Sequence, residues 1–219
     1  MSILEKTSLV VASLMIAGSA SASMISFDSV GDSGTIFYGG NIEQTEVEGL
    51  TASTSFTLTE IKTSSFVFDI VLANTTSSLW EESRVSRIGF NVDANVTSVT
   101  ASSPWVALLG GSFPNQFGAM DICVQGQSQG SCNGGPGGVE NGDSASFSLE
   151  LGFASLPGAV TLDNFGVRWQ SLNSEALGYD DASGTGTPVT KVPEPGTLGL
   201  LGLGVLGLVV SGRRRRLQS

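Results

Sequence analysis

The sequence predicts an all-β protein: an antiparallel β-sandwich of jelly-roll or Greek-key type, flanked by an N-terminal signal peptide and a short C-terminal transmembrane helix. Three observations carry that expectation. Several short segments alternate apolar and polar residues with period two. Gly, Asn, Asp, Ser or Pro bound each of them. Helical periodicity is nearly absent between the two termini, so the body offers strands and turns but no amphipathic helix.

Taken in order, residues 1–22 come first. A short polar start precedes an uncharged apolar run at 9–17, and Ala20-Ser21-Ala22 fits an A-x-A cleavage site. This is the layout of a secretory signal peptide cut after Ala22. Glu5 offsets Lys6, which leaves the positive charge of the start largely on the terminal amine. An amphipathic first helix is the alternative, but the apolar run has no polar face.

The body, 23–177, contains five stripes. Leu50, Ala52, Thr54, Phe56 and Leu58 form one; Phe66, Phe68, Ile70 and Leu72 a second; Ile88, Phe90 and Val92 a third. Ala145, Phe147, Leu149, Leu151 and Phe153 form the fourth, and Phe165, Val167 and Trp169 the fifth. Phe, Val and Thr suit half-buried strands, and many short strands in about 170 residues suit one sandwich domain. Residues 110–143 are the least regular and are expected to be a long surface loop. Residues 178–191, rich in Gly, Ser and Thr, are expected to be a flexible linker.

Residues 192–219 close the sequence. Pro193 and Pro195 hold Val192–Pro195 out of any helix. Residues 197–212 carry no charge; as a helix they would extend roughly 24 Å, against a hydrocarbon core of about 30 Å. The span is short, but Arg213, Arg214, Arg215 and Arg216 can snorkel, and by the positive-inside rule they stay cytoplasmic. Both ends therefore give one topology, with the body exported and the tail a stop in the inner membrane.

Charge and composition narrow the function. The protein has 219 residues, a net charge of −10 and no histidine. Between residues 23 and 192, five basic residues (Lys62, Arg84, Arg87, Arg168 and Lys191) face eighteen acidic ones, a net of −13. Such a surface argues against nucleic acid and anionic polymers as partners. Without histidine there is no Ser-His-Asp or Cys-His site. A Ser-Lys pair is open in principle, yet Lys62 and Lys191 stand in no recognisable motif. No catalytic residue, cofactor or metal is assigned, and the protein is expected not to be an enzyme. Asp121, Asn133, Glu140, Asn141 and Asp143 could supply oxygen ligands to Ca²⁺, but not at EF-hand spacing. Cys123 and Cys132, with eight residues between them, are expected to form a disulfide in an exported chain.

The tail then resembles a known signal. Pro193-Glu194-Pro195, a short Gly/Leu-rich apolar segment and a terminal arginine cluster are similar, in order and without a gap, to the PEP-CTERM sorting signal. The resemblance covers about 192–219. It implies a Gram-negative bacterium with an extracellular polysaccharide or biofilm matrix. It also implies a membrane-embedded exosortase that reads the motif and removes the tail, so the inner membrane would be only a transient anchor. The body adds a second likeness. "RVSRIGFNVDANV" at 84–96, the cysteine pair with its glycine-rich run, and "LDNFGVRWQSL" at 162–172 resemble the cistern group of PEP-CTERM proteins. That group brings no activity with it.

The leading expectation is thus an exported, exosortase-sorted structural or interaction protein of the cell surface or matrix. The alternative is a carbohydrate-binding module for extracellular polysaccharide. It would use Trp80, Trp105 or Trp169; Trp80, beside Glu81 and Glu82, is the best exposed candidate, while Trp169 lies on an apolar stripe. A glycan hydrolase using a carboxylate pair has little to single it out among eighteen acidic residues.

Overall fold

A computed structural model describes residues 24–114, 117–127, 132 and 135–189. They form strands β1 (Ile25–Phe27), β2 (Ser33–Ile42), β3 (Thr45–Ile61), β4 (Ser65–Asn74), β5 (Glu82–Val92) and β6 (Val96–Ala101). There follow β7 (Val106–Phe113), β8 (Gly118–Gln125), β9 (Val139–Glu140), β10 (Ser144–Phe153), β11 (Val160–Ser174) and β12 (Tyr179–Pro188). No helix occurs among the described residues, and every strand pair is antiparallel. The all-β, antiparallel expectation holds.

Ten strands make one continuous sheet in the order β6-β10-β4-β3-β2-β12-β11-β5-β8-β7, with β1 added to β11 and β9 to β5. The two end strands, β6 and β7, are consecutive in the chain and lie against each other. The sheet is therefore nearly closed, like a barrel. The expected division into two stacked sheets is not confirmed. Curling one long, twisted sheet onto itself removes edges as well as buries its apolar face.

The stripes explain the curl. Register places Leu58 beside Phe68 and Phe68 beside Leu149, then Phe56 beside Ile70 and Ile70 beside Phe147. All are buried on the same face. That face meets its opposite wall in the interior: the Phe56 ring centroid is 5.5 Å from both Phe90 and Phe165, on strands well removed in the sheet. Phe27 of β1 adds an edge contact to Phe68 at 5.0 Å. Burying each such side chain stabilises by roughly 1.5–3 kcal/mol.

Two expectations about the body are corrected. The stretch at 178–191 is not a flexible linker throughout, because β12 takes up Tyr179–Pro188 and lies between β2 and β11. Its glycines are spaces for neighbouring side chains: a Cβ on Gly186 would sit 2.5 Å from the Trp169 ring. Residues 110–143 are not one long loop either, since they contain the end of β7, all of β8 and the short β9. The segments expected to be signal peptide (1–22) and transmembrane helix (197–212) lie outside the described residues. Among those described, no helix is long and apolar enough to cross a membrane.

Candidate functional site

The chain leaves the sheet at one well-defined point. Pro188 pairs with Tyr38, and the Val189 N–H donates to the Phe37 carbonyl at 2.8 Å. Val189 itself is exposed. From Val189 to Pro193 is four residues, at most roughly 14 Å of fully extended chain. Pro193, Glu194 and Pro195 are thus tethered directly to a central strand. These three, Arg213–Arg216 and the cleavage-site residues Ala20 and Ala22 lie outside the described residues.

The second region is a cap on the face of β5, β8 and β11 opposite the main core. Cys123 and Cys132 are joined by a disulfide, with Cα atoms 6.3 Å apart. Around them Phe113 and Met120 are buried, and Phe117 packs alongside, as a small core separate from the main one. Glycines make its floor. A Cβ on Gly89 would meet the Phe113 ring at 2.7 Å, and one on Gly166 would meet Phe117 at 2.8 Å. Bare backbone here lets the far edges of the aromatic rings approach the sheet closely.

Under the same cap lie all three arginines of the body. Arg87 of β5 is the direct cross-strand partner of Arg168 on β11 and of Gln125 on β8; Arg84 is opposite Gln170. Arg87 is wholly buried. It donates to Gln170 Oε1 (3.1 Å), Gln125 Oε1 (3.2 Å) and Ser86 Oγ (3.2 Å). Arg84 donates to the carbonyls of Gly135 and Gly137 and lies 3.8 Å from a Glu140 carboxylate oxygen. The glycine run closes over Arg87: a Cβ on Gly135 would stand 2.9 Å from its Nη2. No carboxylate lies within ion-pair distance of Arg87 or Arg168 among the described residues. Arg87 Nε, Arg168 Nε and Gln125 Nε2 are buried without a hydrogen-bond partner among the described residues. Burial first, and then the nearby charges of Arg168 and Arg84, push the Arg87 guanidinium down to about 10. Burial also lowers Arg168.

Pattern reasoning did not single out this cluster. The apolar parity of β5, with Ile88, Phe90 and Val92 inward, would put Arg84 inward. The register shift between β5 and β11 at Ser86 turns Val85 inward instead and brings Arg84 to the side of Arg87. The usable signal was that three of the body's five basic residues fall on or just before two of the predicted stripes, 88–92 and 165–169.

The aromatic candidates are corrected in turn. Trp80 is buried, not exposed; its Nε1 donates to the Glu48 carbonyl at 2.9 Å and its ring stacks on Tyr179 at 5.4 Å. Trp105 is buried and stacks on Phe147 at 4.6 Å. Trp169 is in the core, as its stripe suggests. None forms an open platform for a sugar ring. The oxygen ligands are not gathered either. Asp121 accepts from the Val92 N–H at one end of β5, while Glu140 pairs with Arg84 at the other, about 25 Å away along a strand. Asn141 donates its Nδ2 to the Trp80 carbonyl and leaves its Oδ1 buried without a partner among the described residues, Asp143 shares a turn with Glu140 through a backbone hydrogen bond, and Asn133 lies outside the described residues. No group of three or more His, Cys, Asp or Glu among the described residues could hold a metal ion.

Compared with known families, residues 191–216 match the model of the PEP-CTERM protein-sorting motif. A search of curated proteins finds no match. The match begins two residues after Val189, and it supports a PEP-CTERM protein. The motif is the exosortase recognition signal and implies export, membrane passage and sorting to the cell surface. The likeness of the body to the cistern group is not confirmed.

Proposed function

We propose that this is an exported protein which an exosortase cuts at or close to Pro193-Glu194-Pro195 and delivers to the cell surface or extracellular matrix, where the β-body serves as a structural or interaction module. The observation that carries this reading is the sorting-motif match at 191–216, which starts just beyond the last sheet residue. Residues 1–22 direct export and are removed after Ala22. Residues 197–212 hold the intermediate in the inner membrane with Arg213–Arg216 inside. Extended Pro-Glu-Pro can enter a protease site, which a helix cannot.

The body suits a durable surface module. Its strands leave few edges, a disulfide ties its cap, and its acidic surface keeps it soluble. The test is mass spectrometry of the C-terminal peptide from hosts with and without an exosortase. With the enzyme, residues 197–219 are lost; without it, the protein stays full-length in the inner membrane. A surface form that still ends in Arg-Arg-Leu-Gln-Ser overturns the reading.

A further inference from the structure

We propose that Arg84, Arg87 and Arg168 form a binding site for a small carboxylate-bearing ligand at the edge of the cap. The site is independent of the sorting signal. A buried guanidinium without a counter-charge costs several kcal/mol, and here two cross-strand guanidinia, Arg87 and Arg168, lack one among the described residues. The chain supplies amide and hydroxyl acceptors to Arg87, but no carboxylate to it or to Arg168 among the described residues. The internal residues outside the description cannot supply one: 115–116, 128–131 and 133–134 contain no Asp or Glu.

Around Arg87 the unmet groups among the described residues are of one kind. Arg87 Nε, Arg168 Nε and Gln125 Nε2 are donors, on residues directly paired across three adjacent strands. A row of donors with surplus positive charge is complemented by an oxyanion, and a guanidinium fork matches a planar carboxylate best. Arg168 is only half-buried and forms the lip, with its Nε buried; Arg87, wholly buried, is the floor. The glycine run at 135–138 is the wall, held to Arg84 through its carbonyls. The size of the ligand follows from the surrounding field. A body with a net charge of −13 repels a polyanion at long range, whereas a single carboxylate meets only the local arginines.

The test is a thermal-unfolding series of the body in sodium acetate, sodium glucuronate or sodium sulfate, each against sodium chloride at equal ionic strength. Glucuronate or acetate at ten times its Kd raises Tm by about 3 °C or more. The acetate arm distinguishes any carboxylate from one carried on a sugar, and a larger effect of sulfate than of either would reject the carboxylate assignment. Arg168→Gln weakens binding roughly tenfold, the loss of one charge-assisted pair. Arg168→Lys keeps the charge without the fork and falls between; it also serves where R168Q does not fold. Lys62→Gln, remote from the cap, leaves the shift unchanged. No shift in the unaltered protein, or the same shift in both Arg168 variants, overturns the proposal.

Discussion

The two faces of β5 are built on different principles. Its inward side chains, Ile88, Phe90 and Val92, enter a core of aromatic and aliphatic residues that needs no partner beyond shape. Its outward side presents Arg84, Arg87 and the bare Gly89 to a cap of a few apolar residues, one disulfide and a glycine-rich run. Inside, stability comes from area removed from water, which is non-directional and tolerant of salt and redox state. Outside, it comes from a covalent tie and a polar network in which Arg87 and Arg168 have no carboxylate partner among the described residues, so it is the more sensitive to redox state and salt. One strand therefore divides a region held by apolar packing from a region held by a disulfide and polar contacts.

The largest expected effect comes from breaking the inner face. Phe90→Ala removes a fully buried ring that meets both Phe56 and Phe165. A loss of about 3–5 kcal/mol is expected, read from the urea midpoint at an unchanged slope. If the loss is under about 1 kcal/mol, the interior is not the close-packed region described above.

Next comes the tie of the cap. Replacing Cys123 and Cys132 together by Ser should cost about 2.7 kcal/mol or less on chain-entropy grounds. The effect should be local: proteolysis at 126–138 speeds up, while amide protection in β3, β4 and β10 is retained. Equal loss of protection across all strands would show that the cap and the interior are one cooperative unit.

The smallest effect lies on the outer face away from the cap, where Lys62 Nζ is 2.9 Å from Glu150 Oε2 and Ser65 Oγ donates to Glu150 Oε1 at 2.6 Å. The Ser65 hydroxyl, and then Lys62, hold the Glu150 carboxyl below its ordinary value. A lowered acid contributes stability above its unfolded pKa and loses it as pH falls through the folded one. Lys62 is raised, chiefly by the hydrogen bond to Glu150, and its share is lost only when pH climbs past its own raised value. Both groups are substantially exposed, so solvent screening keeps the contribution of the pair small. Glu150→Gln should lower the urea midpoint slightly at neutral pH, and the difference should vanish well below pH 4. A difference that grows on acidification would contradict the assignment.

How much was legible depended on whether a residue's own chemistry or its neighbour's set its place. The stripe at 145–153 became β10, and the stripes of β3, β4 and β11 were equally plain, because alternate burial writes itself into the pattern. The Cys123–Cys132 pair was legible from spacing and export. β12 was not, since Gly184 and Gly186 look like linker residues until Trp169 and Leu172 are seen to fill the space above them. Trp80 was misplaced for a similar reason: two adjacent glutamates suggest exposure, but Tyr179 and the Glu48 carbonyl enclose the ring.

By itself the sequence determined the antiparallel β class, the positions of the main inward stripes and the sorting motif that follows the body. Each is a local property: side-chain alternation, or an ordered run of residues. Only the tertiary structure decided that the sheet curls nearly closed, that β12 lies in its middle, and that three arginines meet under one cap. Those facts depend on strand order and on a register shift at Ser86, which arise from contacts between residues far apart in the chain. No periodicity within a single strand can encode them.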